Sequence, residues 1–195
     1  MTRASTTKRL DGEALRAAIF DLLEYCPASG VLRWKVDAHH YRARPGREVG
    51  SLNNYGYRCL SVGGRPLRAH RVIWLMMTGA WPPCSIDHID GCRSNNKWEN
   101  LRLATISQNN SNSKLNSRNT SGFRGVSFDR RNNKWIANIC VGGVQKNLGR
   151  YSSPVAAAQA YDKAAITAHR EFARLNFPLP HQRGARDAAG RNDHT

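Results

Sequence analysis

The chain has 195 residues, with 30 Lys and Arg against 14 Asp and Glu, a formal net charge of +16; 40% of it is hydrophobic. That length suits one ordinary domain or two small ones. No stretch approaches the roughly 20 apolar residues of a membrane span, and the N-terminal region lacks the apolar run of a secretory signal.

In chain order, 11–25 reads as a helix, with Leu15, Ala18, Ile19, Leu22 and Leu23 at helical spacing and Cys26-Pro27 as its end. Strand-like runs follow at 31–36, 57–62 and 67–69, and Gly63-Gly64 suits a tight hairpin between the last two. A short apolar helix is expected over 70–77. Residues 86–110 then read as strand (86–89), turn at Asp90-Gly91, strand (100–104) and a helix capped by Thr105 and running to about 112. Ten of the fifteen residues from Ser107 to Ser121 are Ser or Asn, too polar to bury a core, so a linker and domain boundary are expected there. Beyond it come strands at 123–128, 135–141 and 145–150. A helix follows, with Ser153 as N-cap and Pro154 at its first position. The tail after Pro178 is nearly devoid of apolar residues and is expected to be disordered.

The charge implies a polyanionic partner, since each Lys or Arg that neutralises a phosphate releases a counterion; DNA-binding and RNA-binding proteins look alike at this level. Its distribution says more. Residues 1–85 hold 13 basic and 6 acidic side chains, 86–110 hold three of each, and 111–152 hold 8 against Asp129 alone. Two basic lobes flank a neutral island containing Asp87, His88 and Asp90. The five cysteines include no C-x-x-C pair and are odd in number, as expected of thiols in a reducing cytoplasm; Cys84 and Cys92 beside His88 leave a zinc reading open.

The island carries the sharpest chemical signal: Asp87-His88-Ile89-Asp90-Gly91, then Asn100-Leu101, then Asn109. Phosphodiester hydrolysis needs a base to take a proton from water and a Lewis acid to stabilise developing charge. Neighbours on a strand point to opposite faces, so Asp87 can offer hard oxygen to Mg²⁺ while His88 serves as base. Asp90-Gly91 and Asn95-Asn96 read as turn formers. His70 reads as a structural histidine or a phosphate contact, and Arg93 and Lys97 as backbone contacts or solvated charge.

These residues, with Trp98-Glu99-Asn100-Leu101-Arg102 and Gln108-Asn109-Asn110, resemble the ββα-metal (HNH, or His-Me finger) motif of HNH homing endonucleases. Ser29 to Trp34, Gly56-Tyr57-Arg58 and His70 to Trp74 are similar to the N-terminal part of phage-type members. The resemblance spans roughly 20–112. It implies Asp87 and Asn109 as ligands of one divalent ion, Mg²⁺ or Mn²⁺, His88 as general base, and Asn100 as the residue orienting its imidazole. Asn109 stands where many members have a ligating His, which matches the homing subset. It further implies a phage-encoded protein acting in the cytoplasm of a bacterial host.

A second resemblance covers 121–177. Ser121 to Val126, Lys134-Trp135-Ile136-Ala137, Leu148 to Tyr151, Tyr161-Asp162 and Leu175 to Pro178 are similar to the Apetala/ethylene-response-factor DNA-binding domain. That family is a three-stranded antiparallel sheet on one helix, whose sheet enters the major groove. Arg124, Arg130, Arg131, Lys134, Trp135, Lys146 and Arg150 are the expected DNA-binding residues, with half-buried support of the sheet as the other reading of Trp135. Ser127, Asn138 and Cys140 stand where plant members carry charged contacts, so plant-type base specificity does not transfer.

The expected protein is therefore α+β. A ββα-metal nuclease domain with an N-terminal helix and β-rich extension (1–112) leads through a linker (113–120) to a small three-stranded antiparallel sheet packed on one helix (121–178) and a basic tail (179–195). The expected activity is metal-dependent, site-directed cleavage of double-stranded DNA, with no membrane. A monomer would nick one strand, having one catalytic cluster; a dimer is the alternative. The rival function is a non-catalytic DNA-binding regulator.

Overall fold

The computed structural model describes residues 10–37, 44–112, 115 and 118–178. The tail expected at 179–195 and part of the linker lie outside them. The chain divides into two compact units, one of residues 1–88 with 92–103, the other of 89–91 with 104–195. Helices combine with antiparallel sheets, so the class is α+β.

In the first unit, α1 (Gly12–Leu22) buries Leu15 and Ile19 on one face. It stops earlier than its apolar spacing suggests. Residues Leu23–Cys26 form strand β1, paired antiparallel with β2 (Val31–Trp34) from Leu23↔Trp34 to Cys26↔Val31. The Lys35 N–H takes the Leu22 carbonyl at 2.8 Å, and Pro27 disfavours a helical residue before it. Pairing thus wins over helical periodicity.

Strands β3 (Ser51–Leu52), β4 (Arg58–Val62) and β5 (Arg65–Arg68) form a second antiparallel sheet, of which β3 is too short to leave a sequence signal. The β4–β5 turn is Gly63-Gly64, both at positive φ (54° and 71°), as a two-residue hairpin of the primed type requires. Helix α2 (Ala69–Thr78) buries Val72, Ile73 and Leu75 and closes on Gly79.

Strands β6 (Ser85–His88) and β7 (Leu101–Ala104) form a two-stranded sheet, with a single 3₁₀ turn (Trp98–Asn100) leading into β7. Ile86 and Leu101 root the two strands in a core that includes Ile19, Leu23, Leu32, Val49, Leu60, Val72 and Ile73. Burial of each such side chain is worth about 2 kcal/mol.

The β1–β2 hairpin also holds the segment between β6 and β7. The Trp98 N–H reaches the Pro27 carbonyl at 3.3 Å and the Tyr25 hydroxyl donates to the Asn96 carbonyl at 2.7 Å. Gly30 (φ 75°) approaches so closely that a Cβ there would collide with the backbone of Asn96 and Lys97.

The second unit begins with α3 (Ile106–Ser111). Its capping box pairs the Gln108 N–H with Thr105 Oγ1 (3.2 Å) and the Thr105 N–H with Gln108 Oε1 (2.7 Å). Strands β8 (Val126–Asp129), β9 (Lys134–Val141) and β10 (Val144–Tyr151) form an antiparallel sheet in the order β10-β9-β8. Helix α4 (Pro154–His169) lies on it, capped by Ser153 Oγ, which accepts from the Ala156 N–H. Its alanines allow close approach: Ala157, Ala158 and Ala165 are buried with Val126, Ala137 and Ile139. Asp162, buried on α4, accepts from the Asn176 and Phe177 N–H groups at 2.8 Å each and pins the segment after the helix. No helix among the described residues is long and apolar enough to cross a membrane.

Gly30→Ala should strain both its own φ and the approach to Lys97, lowering stability by about 2 kcal/mol. A urea melt would register this as a lower midpoint at unchanged slope.

Candidate functional site

The end of β6 and the segment that follows bring together an unusually polar buried group. Asp87 is 3% exposed, His88 4%, Asn96 2% and Asn100 7%. Polar groups at such depth are costly unless bonded, and their bonds define the geometry.

Asp87 is held from the neighbouring strand. Arg102 on β7 donates to its Oδ2 from Nε (2.9 Å) and Nη2 (2.8 Å). The pair accounts for one charge of each sign in a stretch that holds three of each.

His88 Nε2 lies 3.2 Å from Asn96 Oδ1. Asn96 Nδ2 donates to the Ser94 carbonyl at 3.2 Å, which turns Oδ1 toward the ring. An acceptor at that position calls for Nε2–H, which in the neutral ring puts the lone pair on Nδ1. Burial raises the Tyr25 hydroxyl to about 12, with Cys26 adding to it, so Tyr25 remains a donor to the Asn96 backbone at any working pH.

Asn100, expected beside the imidazole, is buried, and its Nδ2 donates to the Asn95 carbonyl at 2.8 Å. It thereby fixes the residue preceding Asn96. Sequence reasoning placed Asn95-Asn96 in a turn and missed the contact of Asn96 with His88. Nothing local distinguishes an Asn whose side chain closes a turn from one turned inward by Tyr25.

Behind His88 lies an aromatic stack. The His70 ring meets it edge-on at 5.2 Å, and Tyr57 lies 5.3 Å from His70 and 6.0 Å from His88. Burial pushes His70 down to about 3, aided by His88 and the charges of Arg68 and Arg71, so it is neutral at physiological pH.

The donor set decides which ion fits. The two strands themselves carry one carboxylate, Asp87, with Asp90 and Glu99 in the segment between them, and no group of three His, Cys, Asp or Glu able to hold a metal occurs among the described residues. A single hard oxygen suits an ion that keeps most of its waters and takes phosphate oxygens, as Mg²⁺ does. It does not suit zinc: the Cys84 thiol contacts the Ser85 carbonyl and that of Cys92 contacts Ser94 Oγ. Asn109 lies half-buried on α3, in the second unit.

The expected DNA-binding residues of the second unit fall into three places. Arg130 and Arg131 are exposed in the β8–β9 turn. Lys134 and Arg150 lie on the sheet face away from α4, where Arg150 Nε contacts Asp129 Oδ2 at 3.2 Å. Arg124, before β8, is half-buried beside Tyr161, its N–H donating to Asn176 Oδ1.

Trp135 and Lys146 stand on the other face. Trp135 pairs with Phe128 and packs with Val126, Ala137 and Ala157, while Lys146 is register partner to the buried Ile139. Alternation along a strand sends both toward the helix side, so Trp135 supports the sheet and Lys146 is an exposed residue at its edge.

Residues 67–111 match the HNH endonuclease family. Protein 3.8 of Escherichia phage T7 is 33% identical over 109 residues, spanning 55% of this chain and 89% of that protein. An uncharacterized HNH endonuclease, L560, of Acanthamoeba polyphaga mimivirus is 34% identical over 112 residues, 56% of this chain and 57% of that one. The C-terminal part is similar to APETALA2-like protein 2 of Oryza sativa subsp. japonica, 43% identical over 60 residues, 31% of this chain and 14% of the rice protein.

The chain belongs to the HNH endonuclease family, enzymes that cleave DNA. Such nucleases generally use a divalent metal ion.

Arg102→Met leaves the Asp87 carboxylate buried without its counter-charge and should cost about 3 kcal/mol, read as a lower urea midpoint. His70 titrates near 6.5 when unfolded and near 3 when folded. Between those values the unfolded chain holds the extra proton, so this contribution to stability is complete above pH 6.5 and is lost as pH falls toward 3. The slope is up to about 1.4 kcal/mol per pH unit. Unfolding free energies between pH 7 and 4 should show it in the parent and not in His70→Gln.

Proposed function

We propose that the chain is a metal-dependent, site-directed endonuclease of the homing type that nicks duplex DNA, with His88 as general base. The observation that carries this reading is the His88–Asn96 contact, which makes Nδ1 the basic nitrogen of a ring held at the end of β6.

In this mechanism His88 Nδ1 takes a proton from water as the water oxygen bonds to phosphorus. The bond from phosphorus to the 3′-oxygen breaks, leaving a 5′-phosphate and a 3′-oxygen that gains a proton. Asp87 and Asn109 are the proposed ligands of one Mg²⁺ or Mn²⁺ per active site. When bound, such an ion supplies Lewis-acid stabilisation of the charge developing on the leaving oxygen. Arg102 keeps the Asp87 carboxylate in orientation, and Asn96 fixes the His88 tautomer with help from Tyr25 and Asn100.

Residues 1–112 form the cutting part in this reading, and 121–178, joined through 113–120, hold the target site. Arg130, Arg131 and Lys134 supply backbone contacts there, each a counterion-releasing charge. Arg124 and Arg150 are positioned by Tyr161 and Asp129, so they contribute fixed rather than freely moving charge. One catalytic cluster per chain suits a monomer cutting one strand.

The test is conversion of supercoiled plasmid to open circle in Mg²⁺. His88→Ala should slow it by roughly 10²–10⁴, and Asn96→Ala by roughly 10–100-fold. A parent that leaves plasmid intact, or a His88→Ala variant as fast as the parent, would remove the endonuclease reading in favour of a DNA-binding regulator.

A further inference from the structure

Two arginines of the first unit differ from their neighbours in how they are held. Arg58, Arg65 and Arg102 face Glu48, Asp11 and Asp87 respectively. Arg68 and Arg93 take part in no ion pair among the described residues; instead they share one aromatic ring. The Arg68 Cζ lies 4.7 Å from the centroid of Tyr57 and the Arg93 Cζ 4.8 Å from it. Arg93 is further fixed by donating from Nη1 to the Tyr55 carbonyl at 3.1 Å.

This ring belongs to the stack behind the general base, 5.3 Å from His70 and 6.0 Å from His88. Three separate pieces of chain therefore converge beside His88: the entry to β4, the start of α2, and the segment following β6. A ring holds a guanidinium by its face and leaves the charge unneutralised, with the N–H edge available to a planar or tetrahedral anion. Arg68 is also the N-cap residue of α2, an end with no side-chain cap, so the helix adds the positive pole of its dipole to the same place. Both arginines are exposed.

We propose that Arg68 and Arg93, mounted on Tyr57, form a clamp for a phosphodiester of the DNA strand whose phosphorus His88 addresses. The ligand is a backbone phosphate: a tetrahedral anion whose oxygens accept from two guanidinium forks. The clamp rests on the endonuclease reading for its purpose, which is to hold the strand in register with Nδ1. Lys97, the other basic residue of this segment, has no such mounting.

The experiment uses the full chain and a 30-base-pair duplex, with binding followed by fluorescence anisotropy across a KCl series without divalent ions. Arg68→Gln and Arg93→Gln should each lower the slope of log K against log salt by about one, and the double variant by about two, equally on unrelated sequences. Arg68→Lys and Arg93→Lys keep the charge and should keep the slope, while single-turnover nicking falls on the order of tenfold because the stacked fork is gone. An unchanged slope in the double Gln variant overturns the clamp. So does a loss confined to one sequence, which would make these arginines base readers. Thermal melts of the variants should match the parent; a double variant that has lost its fold is replaced by Tyr57→Leu, which keeps both charges and should weaken binding if the mounting matters. A parent that binds with the full slope but does not nick defeats the endonuclease reading alone, leaving the clamp standing.

Discussion

Burying a carboxylate, an imidazole and two carboxamides at one end of a two-stranded sheet is the constraint on which the first unit depends. Each of these groups loses water, and a missing partner would cost more than most single contacts return. The surrounding structure supplies the partners. Arg102 comes from the paired strand, Asn96 and the Ser94 and Asn95 carbonyls from the connecting segment, and Tyr25 from the N-terminal hairpin. The apolar core beneath, through Ile86 and Leu101, fixes the strands so that those bonds have no slack. Rigidity at His88 is thus a by-product of satisfying its neighbours.

Much of this was legible beforehand. Asp87-His88 before Asp90-Gly91, with Asn100 following, marked out the stretch in which Asp87, His88 and Asn100 turn out to be buried. Local chemistry also announced the capping box at Thr105, the Gly63-Gly64 hairpin and the Ser153-Pro154 helix start. What was not legible depended on distant partners. The first helix is cut short because Leu23–Cys26 finds a strand to pair with, which helical spacing cannot anticipate. Asn96 lay hidden because Tyr25, which holds its backbone, is 71 positions away in sequence. Trp135 and Lys146 illustrate a different difficulty: composition places basic and aromatic residues on strands, but only register decides which face they take.

Arginine is put to distinct uses in the chain. Some arginines are neutralised by carboxylates and serve the fold, as Arg58 and Arg102 do. Others, such as Arg130 and Arg131, are left in an exposed turn where backbone phosphate is the natural complement. Arg68 and Arg93 form a third group, immobilised without being neutralised. A net charge of +16 gives no hint of this division; it is the mounting of each guanidinium that separates structural charge from charge kept for a ligand.

The Asp87–Arg102 pair has a bearing on how such an enzyme is made. With its counter-charge supplied from the adjacent strand, the hairpin reaches its final form as soon as the chain folds. Newly synthesised protein need not wait for an ion to avoid stranding a bare carboxylate in its interior. Folding of the hairpin is thereby uncoupled from the supply of any divalent ion.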